Sequence, residues 1–428
     1  MTQRTRHIQI AFAIVLALAS AHAVAQQSST QPSAIRSTSD DDRAFVFYVG
    51  DQFMYDDNLF RLPEPAQRDP NQAPVEDTED YVNQLSAGLR ARMHMGRQTL
   101  ALAARVNDVQ FQNNDQLDYT GGLARLDFDW QIGSRLSGRV LGDYQRSLAS
   151  YTNYRFFDRD IVEAWSGELE TRVQLGPRFA LLAGARSRRT DHSDAARRSE
   201  NFESDAATGG LEIRLSNTDR LILEYRYLEG DFPDTFAAGD PNARDRSYEE
   251  TLANLRLEYE LTSKLHLRGN VGNLERDYPA GSLSGDYSGV IWKATLDWEP
   301  RRKLGFELSA WRDLKAYVDS ESNYFEALGA SVGPTWKPSD KLAFALEYVY
   351  EDQDYIGTPT LSSNPGDPIF EQDPGREDEI DIARFTASYA PREFIELDLT
   401  LAYIDRSSNR PSRVYDAQAA SFGIRVVF

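Results

Sequence analysis

Cysteine is absent from this 428-residue sequence, which also contains only 5 histidines and 4 methionines. The absence of cysteine excludes disulfides, Cys-ligated metal sites, thiol nucleophiles and a lipidated N-terminal cysteine. The mean hydropathy of −0.55 is too low for a helical membrane protein. Aromatic residues make up 11% of the chain, which is too many for a disordered protein. The net charge of −20 argues against a nucleic-acid partner.

Long hydrophobic runs are also missing, except at the N-terminus. There, Arg4 and Arg6 precede an apolar stretch at 8–19, and Ala23-Val24-Ala25 matches a small-x-small cleavage site. This order predicts a secretory signal peptide over residues 1–25. Residues 26–43 are polar and unpatterned, so we expect a disordered periplasmic tail. The remainder, 44–428, is expected to form one domain.

Apolar and charged residues alternate through that remainder. The runs at 221–227, 255–261 and 395–401 each place large apolar side chains at every second position, with mostly charged or polar residues between them. Successive side chains of a strand point to opposite faces of its sheet. The pattern therefore predicts strands with one apolar face and one charged face.

Two styles of connection separate these runs. Eight are tight turns, such as those at 96–98 and 133–135, and nine are longer polar loops; eight plus nine gives seventeen connections and eighteen strands. Alternation of short turns with long loops is typical of a transmembrane barrel. We therefore predict an all-β protein, an antiparallel up-and-down β-barrel of about 18 strands in the bacterial outer membrane. The alternative is a soluble sandwich or propeller, but aromatic residues gather at strand ends, where a membrane belt would lie.

The C-terminus fits this interpretation. Phe422, Ile424, Val426 and Phe428 share one face of the last predicted strand, and Phe428 is the terminal residue. This ending resembles the signature that the barrel assembly machinery recognises in bacterial outer-membrane proteins. The expected surroundings are outer-membrane lipid and lipopolysaccharide.

Charged residues of both signs are predicted to line the lumen. The basic candidates are Arg90, Arg92, Arg105, Arg125, Arg139, Arg172, Arg186, Arg214, Arg226, Arg256, Arg268 and Arg425; the acidic ones are Asp127, Asp129, Glu168, Glu170, Glu212, Glu224, Glu258, Glu260, Asp297, Glu299, Glu347, Glu396 and Asp398. One interpretation is cross-strand ion pairs that hold a wet barrel open. The other is a polar ladder of weak contacts for a hydrophilic polymer. The two longest loops, near 59–79 and 356–378, either fold inward or stay on the surface.

Catalysis is not expected. The sequence has no His-Glu-x-x-His, no phosphate-binding glycine loop and no EF-hand spacing. We expect no catalytic residues, no metal site and no cofactor.

A short motif follows the first predicted strand. Asp56, Asp57, Asn58, Leu59, Phe60 and Arg61 form the sequence Asp-Asp-Asn-Leu-Phe-Arg. The motif resembles the exosortase-associated extracellular-polysaccharide outer-membrane proteins, the EpsL-type barrels within the putative β-barrel porins. The resemblance implies a polysaccharide substrate and a periplasmic polysaccharide-export protein as partner. Locally, the same residues predict an Asx-rich turn, with Phe60 packing at the rim.

These observations favour export of an exopolysaccharide as the function. A general or substrate-selective diffusion porin for small solutes is the first alternative. A structural or adhesive outer-membrane barrel is the second.

Overall fold

A computed structural model describes residues 44–65, 77–152, 157–234, 246–279, 286–316, 324–356 and 375–428. The predicted signal peptide and tail, and most of the predicted loop near 356–378, lie outside these residues. The strands are β1 (Phe45–Asp56), β2 (Asp80–Met95), β3 (Gln98–Phe111), β4 (Tyr119–Ile132), β5 (Leu136–Leu148), β6 (Ile161–Gln174), β7 (Phe179–His192), β8 (Phe202–Arg214), β9 (Arg220–Asp231), β10 (Tyr248–Thr262), β11 (Leu265–Asp277), β12 (Tyr287–Arg301), β13 (Leu304–Ala316), β14 (Tyr324–Ser339), β15 (Leu342–Ile356), β16 (Glu377–Arg392), β17 (Ile395–Ser408) and β18 (Tyr415–Val427).

These strands form one closed antiparallel sheet. Each strand pairs with its neighbours in the sequence, and β1 also pairs with β18, which closes the barrel. Closure satisfies every strand edge, as a barrel in lipid requires, because hydrocarbon offers no hydrogen-bond partners. The predicted up-and-down barrel of eighteen strands is confirmed.

The two faces of the sheet differ as the alternation predicted. Large apolar side chains on one face are exposed, among them Phe53, Trp165 and Leu223 at 55%, 51% and 46%. Rings on this outer face meet near the short turns, where Trp298 stacks on Phe306 with centroids 5.2 Å apart. A polar outer face would be needed in water, whereas an apolar band with aromatic girdles is the surface of a lipid-embedded barrel. The protein is thus an outer-membrane β-barrel.

Two short turns contain the glycines with positive φ among the described residues. Gly96 (φ 67°) and Gly133 (φ 63°) lie in the tight connections that follow β2 and β4. Residues with a Cβ rarely adopt this conformation, so glycine relieves strain at both turns. Among the described residues, no helix is long and apolar enough to cross a membrane.

The last residue takes part in barrel closure. The Phe428 N–H donates to the Phe47 carbonyl at 2.7 Å, and the Phe428 side chain is 65% exposed on the outer face. Val426 and Ile424 pair with Val49 and Asp51 of β1.

We expect deletion of Phe428 to reduce the amount of folded barrel in the membrane, because it removes both this closing contact and the terminal aromatic ring. The measurement is the heat-modifiable, folded band on a gel from outer membranes. A matched control is Phe394→Ala, which removes an exposed ring from the turn before β17. Normal recovery of folded barrel from the deletion strain would contradict the prediction.

Candidate functional site: the lumen and its mouth

The strand registers place the predicted lumen residues on the face opposite the exposed apolar side chains. Arg90 lies opposite the buried Val46, and Arg425 lies opposite Gly50. The other candidates also lie on this inner face. The exception is Glu299, which lies where the register between β12 and β13 is irregular.

Many of these charges form ion pairs on the inner face. Arg139 donates to Asp127 at 2.8 Å, and Arg268 donates to Asp297 at 2.7 Å. Most pairs join adjacent strands, while Arg172 of β6 passes over β7 to reach Glu212 of β8 at 2.6 Å. Further pairs among the sequence candidates include Arg186–Glu168, Arg256–Glu224 and Arg425–Glu396, while Arg125 pairs with Asp143, which was not a candidate. The inner face therefore carries fixed, largely compensated charges of both signs.

The Asp-Asp-Asn-Leu-Phe-Arg motif begins with Asp56, the last residue of β1, and its other five residues belong to a segment at 57–62, hereafter the mouth segment. Its turn is held by the Asp56 carboxylate, which accepts the Asn58 N–H at 3.0 Å. The Asn58 carboxamide accepts the Leu62 N–H and donates to the Leu62 carbonyl, both at 2.8 Å. Asparagine and aspartate favour such turns because their side chains replace backbone partners. The predicted Asx turn is present.

Arg61 fixes the conformation of this turn. It is the one described non-glycine residue with positive φ, at 55°. Its guanidinium donates to both Asp56 oxygens at 2.7 Å, in a buried bidentate pair. Burial alone would lower the pKa of Arg61, but Asp56, with smaller contributions from Tyr415 and Asp57, outweighs burial and raises this pKa, so Arg61 stays charged. This strong, planar pair offsets the cost of the left-handed backbone.

The mouth segment packs into the barrel and does not stop at its rim. Phe60 is 1% exposed, and its ring meets the edges of Tyr151 and Phe157 at centroid distances of 4.9 and 5.2 Å. The same cluster contains Val82 and Phe111, from the inner faces of β2 and β3. Burial in this cluster also raises the pKa of the Tyr151 hydroxyl. Part of the first long loop is therefore folded inward, as one of the two sequence interpretations expected.

One hydrogen bond shows that the chain after β5 extends across the barrel entrance. Arg406 of β17 donates to the carbonyl of Thr152, which follows β5, at 2.9 Å. Five strands stand between β17 and β5 around the wall, in the order β18, β1, β2, β3 and β4. At ~4.8 Å per strand spacing, the wall path is roughly 29 Å, too long for one side chain. Residues 149–152 therefore cross part of the mouth.

A cluster of buried charges anchors this crossing. Arg376 and Arg406 both donate to the Asp378 carboxylate, from Nε at 2.9 and 3.1 Å. Arg406 also donates to the Tyr355 hydroxyl at 3.1 Å. Arg406 and Asp378 are 0% and 1% exposed. Sequence analysis missed Arg376 and Asp378 because it assigned 356–378 to a loop, and it did not include Arg406 among the lumen candidates. Continuing the alternation that places Asp398 inside would have found Arg406.

A polar cavity of about 410 Å³ opens into the lumen from the strands β9 to β13, and we name it the side pocket. Its polar lining comes from Glu224, Arg226, Glu250, Asn254, Arg256, Asn270, Arg276 and Asp313, and its aliphatic lining from Leu252, Leu274, Ile291 and Leu314. Arg276 and Glu250 were also missed by the sequence analysis. Within the described part of the chain, no group of three metal-binding side chains is present.

No protein-family model matches the sequence, and no curated protein sequence matches it. Solved structures that are similar to this one include the outer membrane protein OpdK from Pseudomonas aeruginosa. The two sequences are 11% identical, the alignment covers 90% of this chain and 99% of that chain, and the TM-score is 0.48. OpdQ from the same organism is 10% identical over 90% and 97% of the two chains, with TM-score 0.44. The siderophore receptor PirA from Pseudomonas aeruginosa is 9% identical over 89% and 80%, also with TM-score 0.44. Sequence identities and TM-scores this low do not indicate the function of this protein. The assignment of the fold depends on the strand pairing described above. The resemblance to EpsL-type barrels gains no support.

Proposed function

We propose that this outer-membrane barrel is a substrate-selective diffusion porin for small polar solutes. The observation that supports the proposal is the contact between Arg406 and Thr152, which holds residues 149–152 across the mouth. The mouth segment packs beside them through Phe60. A fixed constriction at the entrance suits single solutes better than a growing polymer. Export of an exopolysaccharide, implied by the motif resemblance, becomes the competing proposal.

The charged inner wall would allow a polar solute to pass through the barrel without being bound tightly. Many of its charges are already paired, as in Arg139–Asp127 and Arg268–Asp297. A solute would meet many polar groups of moderate strength and no single deep electrostatic well. Binding that is favourable at entry yet weak enough for release is what conduction requires.

The deciding experiment measures the purified full-length barrel in planar lipid bilayers and the surface polysaccharide of a deletion strain. A diffusion porin gives stepwise ionic conductance, and its deletion leaves surface polysaccharide unchanged. A barrel without conductance whose deletion abolishes surface polysaccharide would overturn the proposal in favour of export.

Charge selectivity of the pore provides a second test. We expect the four changes Arg214→Gln, Arg226→Gln, Arg256→Gln and Arg268→Gln, made together, to shift the pore toward cations, because their acidic partners lose compensation. Each single change leaves the reversal potential in a KCl gradient close to that of the unmodified barrel.

The matched control removes the same charge from the short turns, with Arg135, Arg178, Arg301 and Arg302 all changed to Gln. These side chains are exposed outside the lumen wall. Equal shifts in the two quadruple variants would mean that net charge, and not the inner wall, sets selectivity.

A further inference from the structure

The side pocket holds three unpartnered polar atoms in one small volume. The Nε atoms of Arg226 and Arg256 and the Oδ1 atom of Asn254 are buried without a hydrogen-bond partner among the described residues. All three residues line the pocket. Buried polar groups are normally satisfied, so an unpaired group in a cavity calls for an explanation such as a ligand.

Five of the six charged side chains that line the pocket are already engaged with one another. Glu250 accepts from Arg226 at 2.7 Å through one oxygen and from Arg276 at 2.6 Å through the other. Glu224 accepts from the Asn254 amide at 2.7 Å and lies 3.6 Å from Arg256. With Asp313, the lining contains three arginines and three carboxylates, which cancel. A charged ligand would have to displace one member of a pair, and breaking such a pair is costly.

The pocket therefore offers a ligand two N–H donors, from the two arginines, and one carbonyl acceptor, from Asn254. A hydroxyl group can both donate and accept, so neighbouring hydroxyls can satisfy all three atoms. The aliphatic lining from Leu252, Leu274 and Ile291 offers a surface for the C–H groups of the same molecule. The volume of about 410 Å³ falls within the ~300–1,000 Å³ of small-molecule sites.

We propose that the side pocket is a binding subsite for a neutral polyhydroxylated solute of mono- to disaccharide size. The inference rests on the proposed diffusion function and names its substrate class. Arg226 and Arg256 donate to ligand hydroxyls through Nε while their Nη2 atoms face Glu250 and Glu224. Asn254 accepts a ligand hydroxyl through Oδ1 while its amide nitrogen stays on Glu224.

The test measures interruption of single-channel current by glucose, sucrose, gluconate and glycine betaine, each added to the purified barrel in a planar bilayer. We expect sucrose and glucose to interrupt the current at concentrations where gluconate and glycine betaine do not. The variant Asn254→Leu keeps a similar volume and removes the acceptor, so the apparent sugar affinity falls about five- to tenfold. The matched control is Asn107→Leu, a buried residue on the inner face of β3, which leaves sugar affinity unchanged.

The outcomes separate the two proposals. Conductance without any block by sugars overturns the side-pocket proposal and leaves the diffusion function standing. Block by gluconate or glycine betaine that equals block by sucrose overturns the neutral-solute assignment. A barrel without conductance removes the diffusion function; sugar binding by isothermal titration calorimetry, weakened by Asn254→Leu and not by Asn107→Leu, then still supports the pocket.

Discussion

Replacing Phe60 with alanine is expected to raise the conductance of the barrel and lower its free energy of unfolding by about 3–4 kcal/mol. The ring is 1% exposed and joins the mouth segment to Tyr151 and Phe157. Truncation leaves a cavity between these rings, so the mouth segment loses its principal apolar contact with the chain that crosses the entrance. The measurements are single-channel conductance and urea unfolding in detergent followed by tryptophan fluorescence.

A matched control is Phe53→Ala on β1. That ring is 55% exposed on the outer face, so its removal leaves the mouth intact. Equal conductance of the Phe60 variant and the unmodified barrel would show that the mouth segment does not limit flow. Equal unfolding of the two phenylalanine variants would contradict the structural role given to Phe60.

The second large effect is expected from Asp378→Asn. Its carboxylate forms ion pairs with two buried guanidinium groups, those of Arg376 and Arg406. Removing one partner of a buried charge cluster costs ~3–5 kcal/mol, because the opposite charges stay buried. We expect a loss of about 3 kcal/mol in unfolding free energy and a lower temperature for the heat-modifiable gel shift.

The neighbouring Glu379 provides the control for this change. Glu379→Gln removes one carboxylate from the same strand at an exposed outer position. The unfolding free energy of the Glu379→Gln variant should match that of the unmodified barrel. If the Asp378 and Glu379 variants unfold alike, the cluster at the mouth does not contribute to stability. A recovered Arg406→Met barrel with raised conductance would independently connect the cluster to the constriction.

Much of the barrel could be predicted from the sequence, because alternation with period two fixes both strand and face. Arg256 and Glu224 were assigned to the lumen from this parity alone, and the registers place them on one face. The number of turns and loops between the alternating runs then gave the number of strands.

The mouth could not be predicted in the same way. The contact of Arg406 with Thr152 joins residues 254 positions apart and depends on the path of irregular chain. No periodic signal encodes such a path. The side pocket was also out of reach, since it depends on which inner side chains leave space between them. The parity rule could still have extended to Arg276 and Glu250, because they lie on the same face of β11 and β10 as Arg268 and Arg256.

The strand order has a consequence for how the barrel forms. Seventeen pairings join strands that follow one another in the chain, whereas the pairing of β1 with β18 joins its two ends. Hairpins can therefore add one after another at low entropic cost, since each closes a short loop. The last pairing is the one long-range pairing among the eighteen described strands, so we expect seam closure to be the slow step of folding. Until it occurs, the edges of β1 and β18 remain open and can pair with another chain.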